Sequence, residues 1–199
     1  MWSDSICQVG ISVVENGMIT ETKSWLVNPN SFFDDFNVRI HKITAEMVKD
    51  SPKFKELLTE IIHYFNDVDF VVAHNARFDV RALYWAIRKF DDADDTELDI
   101  GPTFDFACSM AMARRAYPKE PSYSLQSLCA KLGIDYGNHD AGADAKSCAE
   151  LSIKIFQEKG VDMSMPINTD EDILFLEDKL QIFFGCLTDD GFANSVCKH

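Results

Sequence analysis

The sequence predicts an α/β domain built on a mixed β-sheet, and three observations lead there. A run rich in β-branched residues, Ser5 to Val14, is followed by the turn signal Asn16-Gly17 and a second strand pattern over Met18 to Val27, the mark of an antiparallel hairpin. The short apolar stretch Asp69 to Ala73 is of the kind found in a buried, often parallel, strand, and Thr103 to Phe106 reads as another short strand. Helical periodicities separate and follow these stretches, and such alternation builds layered α/β folds.

In chain order, Asn28-Pro29-Asn30 closes the hairpin and a loop leads to Ile40-His41-Lys42-Ile43-Thr44. There Thr44, with Met47 and Val48 behind it, suggests a short capped helix. Pro52 can occupy the first turn of the next helix, whose apolar set Phe54, Leu57, Leu58, Ile61, Ile62 and Phe65 keeps the helical period. After the strand ending at Ala73 and the segment His74-Asn75, a second helix is expected from about Phe78 to Phe90, with Leu83, Ile87 and Phe90 toward the core. Asp91 to Asp99 reads as a solvated acidic turn. A helix through Met110 and Met112 to Tyr117 precedes Pro118 and Pro121; Ser124 then starts a helix with Leu125, Leu128 and Leu132, which Gly133 closes. The last long helix carries Asp144 near its start and ends at Gly160.

The domain expected from this pattern spans residues 1–160. Residues 161–199 read as an acidic linker and a C-terminal appendage whose strand candidate is Leu180 to Leu187. The chain has 199 residues and a formal charge of −14; residues 161–199 hold 8 acids and 2 bases, so the first 160 are acidic as well. That balance argues against broad electrostatic attraction to nucleic acid, and it fits phosphate binding through metal ions and a few local cations. Fifteen Phe and 46% hydrophobic residues give a well-filled core. The six cysteines form no Cys-x-x-Cys, which favours reduced, buried thiols. No segment has the form of a signal peptide or the length of a bilayer span, so a folded cytoplasmic protein with no membrane partner is expected.

The best candidate for chemistry is the stretch Asn138-His139-Asp140-Ala141-Gly142-Ala143-Asp144. From Asp144 the apolar positions Cys148, Leu151 and Ile155 follow at helical intervals, so one helix face carries a carboxylate at its first turn and core residues beyond. A carboxylate turned inward is costly unless it meets donors or a cation, and a divalent metal is one such partner. Asp79 stands at the start of another helix. Each aspartate also has a plain structural reading, favouring its own helix N-terminus, and His139 could be a loop histidine bonded to backbone.

Four segments in order, Ile40-His41-Lys42-Ile43-Thr44, Ala73-His74-Asn75-Ala76-Arg77-Phe78-Asp79, Tyr123-Ser124-Leu125 with Leu128 and Leu132, and His139 to Asp144, resemble the successive motifs of the DnaQ-like, DEDDh-type 3′-5′ exonucleases. The resemblance covers roughly residues 5 to 158. It implies a ribonuclease H-like three-layer α/β fold and metal-dependent hydrolysis at the 3′ end of a nucleic acid. Asp79 and Asp144 match two metal-binding carboxylates, His139 the general base, and His74, Asn75 and Phe78 positions that hold the strand near the scissile phosphate. Two Mg2+ or Mn2+ ions are implied as cofactors, with oxygen ligands suited to them. The implied partners are a single-stranded or frayed 3′ end and a polymerase or other replication or repair protein.

The match fails at the family's first motif, an Asp-x-Glu pair on a central strand that would precede Ser5; only Met1-Trp2-Ser3-Asp4 stands there. The expected sheet therefore lacks its first central strand, and two of five catalytic residues are missing. Three explanations are open: a truncated longer protein, another segment such as Leu180 to Leu187 in the gap, or a domain that kept binding and lost catalysis. Truncation is favoured because His139, Asp79 and Asp144 survive. It predicts that the DNA immediately upstream encodes, in frame, an apolar strand ending in Asp-x-Glu; a stop codon or unrelated sequence there would count against it.

Overall fold

A computed structural model describes residues 6–65, 68–91, 106–137, 139–159, 180–184 and 188–189. Strands β1 (Ile6–Glu15) and β2 (Met18–Leu26) form the expected antiparallel hairpin. Its turn takes positive φ at both Asn16 (52°) and Gly17 (74°), which matches the twist of the flanking strands. Helices α1 (Asp35–His41), α2 (Ala45–Val48) and α3 (Phe54–Ile61) follow, the last continued by a 3-10 turn at Ile62–Phe65. Then come β3 (Val68–Ala73), α4 (Ala76–Asp91), β4 (Phe106–Cys108), α5 (Ser109–Ala116), α6 (Leu125–Leu132) and α7 (Ala141–Lys159).

Two details differ from expectation. The stretch read as a loop before Ile40 holds α1, nucleated by Asp34, whose carboxylate accepts from Phe36 N at 2.8 Å. Pro52 lies outside α3 rather than in its first turn, because Lys53 is the N-cap and its backbone N–H donates to the Glu56 carboxylate at 3.0 Å. The expected starts at Thr44 and Ser124 are N-caps, and Gly133 (φ 68°) is the left-handed C-cap of α6. Most of the acidic turn, Thr103 to Asp105, and the linker Val161 to Thr169 lie outside the described residues.

The sheet order is β2-β1-β5-β3-β4, with β5 (Leu180–Phe184) antiparallel to β1 and parallel to β3, and β6 (Thr188–Asp189) pairing β1 beside Ile6 and Gln8. The slot between β1 and β3 is thus held by the C-terminal segment, the second of the three explanations above. The run Leu180 to Leu187 contains no acidic residue, so this strand closes the sheet without supplying a carboxylate pair.

Every residue of β1 from Ile6 to Val14 is buried, so both faces of the sheet are covered. On one face Val9, Ile11, Val13 and Val71 pack with Leu57, Leu58 and Ile61 of α3 and Leu83 and Ala86 of α4. On the other, Val14, Val72 and Ala107 pack with Met112, Leu128, Cys148, Leu151 and Ile155 from α5, α6 and α7. The result is three layers, helix, sheet and helix.

Strand register decides where functional side chains meet. Ala73 at the end of β3 is level with Cys108 of β4 and Phe184 of β5, and Phe184 is level with Ile11 of β1. The carboxyl ends of the parallel strands therefore lie beside the middle of β1. Ligands in open α/β sheets bind at that edge.

Candidate active site

Asp79 is placed by the chain leaving β3. Asn75 takes a left-handed φ of 66°, Phe78 N donates to Asn75 O at 2.8 Å, and α4 begins, carrying Asp79 in its first turn. Asp79 is 3% exposed. Asn75 and Phe78 are half-buried beside it at the strand end.

His74 is the first residue after β3, and both its ring nitrogens are engaged within the protein. Nδ1 lies 2.9 Å from Ser109 Oγ, and Nε2 lies 3.0 Å from the Tyr123 carbonyl. A carbonyl only accepts, so Nε2 carries the proton and Nδ1 accepts from the serine hydroxyl. Burial pushes the imidazole down to about 4, so the ring is neutral at physiological pH. His74 thus ties the end of β3 to the start of α5 and to the Tyr123 segment.

Asp144 comes from the opposite layer. The first turn of α7 seats against β1 because Gly10 has no side chain: a Cβ there would lie 2.0 Å from Ala141 O and 2.5 Å from Gly142 N. Asp144 is 3% exposed, and its Oδ1 is buried with no hydrogen-bond partner among the described residues. Burial pushes its carboxyl up to about 7; the His139 backbone N–H opposes that shift and the Asp140 charge adds to it. A buried carboxylate with an open oxygen is the arrangement a cation would relieve.

His139 sits in the loop before α7 with φ 71°, half-buried, its ring edge-to-face with Tyr136 at a centroid distance of 6.0 Å. The Tyr136 hydroxyl is 3.5 Å from Nδ1. Burial first, and the charge of Lys42 second, hold the His139 pKa below the ordinary imidazole value. Lys42 is the left-handed C-cap of α1 (φ 64°), and His41 beside it is 7% exposed with Nδ1 accepting from Ile43 N at 3.0 Å. The Ile40 to Thr44 segment therefore reaches the same edge of the sheet as His139.

Asp79 from β3–α4, Asp144 from α7 and His139 from the preceding loop gather at one end of the fold, and Asp79 lies near enough to the α7 thiol Cys148 to help raise its pKa. Among the described residues no group of three or more His, Cys, Asp and Glu side chains forms a cage. The two buried carboxylates, one with an unpartnered oxygen, fit part of the donor set for a hard divalent cation. The sequence alone assigned no role to Gln8, Lys42 or Tyr136. A single Gln among β-branched residues gives no periodic signal, although a polar residue in a strand buried on both faces asks for a partner.

The fold is ribonuclease H-like, as in structurally similar exonucleases. Residues 2–152 match the RNase_T family, described as Exonuclease, and the chain belongs to that family, with DnaQ-like relatives. It is 34% identical over 128 residues to DNA polymerase III subunit epsilon of Haemophilus influenzae, covering 63% of this chain and 48% of that protein. It is 27% identical over 179 residues to the 3′-5′ exonuclease DinG of Staphylococcus aureus, covering 89% of this chain and 19% of that one. The chain therefore spans less than half the length of either relative. Among solved structures, Exonuclease X in complex with 5′ overhanging duplex DNA superposes with a TM-score of 0.61 at 28% identity, covering 78% of this chain and 85% of the other. Among the described residues no helix is long and apolar enough to cross a membrane.

Proposed function

We propose that this chain is the nuclease domain of a metal-dependent 3′-5′ exonuclease, with residues 1–160 carrying the candidate site and the segment after 160 supplying strands β5 and β6 to the same sheet, in place of a separate appendage. The observation that carries the reading is Asp144: a buried carboxylate with an unpartnered oxygen, its first turn locked to the loop that bears His139. Asp79 and Asp144 would hold Mg2+ or Mn2+, two ions in a complete site. When bound, such ions supply Lewis-acid stabilisation of the attacking and leaving oxygens of a phosphodiester.

The chain's own residues do the rest. Neutral His139 takes a proton from the attacking water at neutral pH, the state its burial favours. Asn75 and Phe78 at the strand end position the terminal nucleotide, Phe78 by contact with its base or sugar. His74 contributes by fixing that strand end, since its ring nitrogens are committed to Ser109 and Tyr123. The substrate is a single-stranded or frayed 3′ end. The likeness to a polymerase subunit makes a polymerase or another replication or repair protein the partner to test, in the cytoplasm.

With three of five family residues present, the chain by itself is expected to be slow or inactive. The test is release of product from a 3′-labelled oligonucleotide with Mg2+ or Mn2+, comparing this chain, a chain with an apolar Asp-x-Glu strand added upstream, and its His139→Ala variant. The added strand, once it takes the place of β5 between β1 and β3, should raise the rate, and His139→Ala should lower it by about 10²-fold or more. Equal background from all three contradicts the chemistry.

A second reading, a non-catalytic nucleic-acid or polymerase-binding module, is favoured by the absence of acidic residues from Leu180 to Leu187, the run that includes β5. It predicts oligonucleotide or partner binding that survives changing Asp79 and Asp144 together to Asn.

A further inference from the structure

We propose that Gln8 is a positioning residue for this site, forming with Asp140 a hydrogen-bonded clamp that fixes the His139 loop and the first turn of α7 against β1. The inference rests on reading His139 and Asp144 as the working end of the site.

Gln8 is 6% exposed in a strand otherwise made almost wholly of apolar residues. A buried amide is costly unless both ends are paired, and here both are. Nε2 donates to Asp140 Oδ2 at 2.8 Å, and Oε1 accepts from Ala141 N at 3.1 Å. The orientation is forced, because a backbone N–H only donates and a carboxylate only accepts. Asp140 is held from its other side too: Oδ1 accepts from Ala143 N at 3.0 Å, and its carbonyl accepts from Asp144 N at 2.8 Å.

Gln8 and Asp140 together thus take two of the N–H groups that α7 leaves unpaired at its start, those of Ala141 and Ala143, and the residue before Asp140 is His139. His139 takes a left-handed φ of 71°, which a non-glycine residue keeps only where its neighbours hold it. Gly10 lies on the same face of β1 as Gln8 and brings the Ala141 backbone close. Gly10 sets the distance between β1 and α7, and Gln8 sets which atoms of the loop face which atoms of the strand. Ser147 Oγ, 2.9 Å from Asp135 O, anchors the far side of the loop and leaves the His139 end to the clamp.

The test exchanges donor and acceptor. Gln8→Glu at pH 8 still accepts from Ala141 N but sets a second carboxylate against Asp140. Adding Asp140→Asn offers an amide donor to the introduced carboxylate, while the amide oxygen still caps Ala143 N. Both bonds of the clamp are then present again, the one between positions 8 and 140 in reverse sense. Gln8→Met, similar in shape and without polar atoms, is the milder variant if the single charge change unfolds the chain. The first readout is the ring resonances of His139 in the full, metal-free chain, assigned by their loss in His139→Asn. The second is Mn2+-dependent cleavage of a 3′-labelled oligonucleotide.

Gln8→Glu and Gln8→Met should move or broaden the His139 signals and lower kcat about tenfold to hundredfold, more than they change KM. Gln8→Glu with Asp140→Asn should return the signals to their wild-type positions and the rate to within about threefold of wild type, by restoring equivalent hydrogen bonds. Wild-type His139 signals in Gln8→Met, or a folded double variant whose signals stay displaced, overturn the clamp. Where the wild-type chain is too slow to measure, the cleavage readout is taken on the chain carrying the added Asp-x-Glu strand; failure of that chain to cleave defeats the functional reading, and the resonance comparison still decides the clamp.

Discussion

In the absence of divalent ions, Asp144→Asn is expected to unfold at a higher temperature than the wild type at pH 8, with the difference vanishing toward pH 4. The carboxyl is pushed up from 3.8 to about 7 by burial. A group whose folded pKa is raised binds its proton more tightly in the native state, so protonation favours folding. Native stability is therefore lost as pH rises from the unfolded value through about 7, and the full penalty is present above that. A shift of about three units corresponds to roughly 4 kcal/mol at most, and water entry or local relaxation will reduce it to roughly 2 to 4. Asparagine keeps the shape and removes the charge. Thermal unfolding of both proteins from pH 4 to 8 checks this; curves that run parallel across the range contradict it. A residue whose replacement stabilises the empty protein is kept for something the empty protein lacks, which is the usual bargain of a functional carboxylate.

Gly10→Ala is expected to destabilise the fold by roughly 3 kcal/mol, at the upper end of the usual range for overpacking. The added methyl would lie 2.0 Å from Ala141 O and 2.5 Å from Gly142 N, and both are backbone atoms that no side-chain rotation can clear. Helix α7 must retreat from β1, and it takes with it Asp144, His139 and the packing of Cys148, Leu151 and Ile155 on the sheet. Gly17→Ala is the control: its φ of 74° makes alanine strained there, but nothing lies within 4 Å, so a loss of about 1 kcal/mol is expected. Urea unfolding of both variants measures the two costs. Equal costs would mean that α7 does not depend on a close approach at Gly10.

Local signals made most elements legible. Asn16-Gly17 fixed the hairpin, the cap residues Thr44, Ser124 and Gly133 fixed helix ends, and the four-three-four spacing after Asp144 placed that carboxylate on the inner face of α7. Helix α1 escaped because its buried residues are Asn37 and His41, so it shows no apolar stripe and its only marker is Asp34. The position of β5, one of three explanations left open with truncation favoured over it, was not decided for a different reason. Its run Leu180-Gln181-Ile182-Phe183-Phe184 reads as a strand, but pairing with β1 and β3 joins segments more than a hundred residues apart, and periodicity carries no information about partners. At the candidate site, the His139 to Asp144 stretch stood out by type and spacing, while the roles proposed for Asp79 and His139 came from the family resemblance. The engagement of His74 by Ser109 and Tyr123, and of Gln8 by Asp140 and Ala141, depends on distances that only the folded chain sets.

The measurement that bears most directly on the site is a Mn2+ titration of the full chain at pH 8, followed by calorimetry and by the rise in unfolding temperature, for the wild type, Asp79→Asn and Asp144→Asn. Binding linked to folding should stabilise the wild type progressively as Mn2+ exceeds its dissociation constant. Both single variants should lose most of the binding heat and most of the temperature rise. Equal Mn2+ responses in all three proteins, or none in the wild type, would contradict the assignment of Asp79 and Asp144 as the carboxylates of a divalent-cation site.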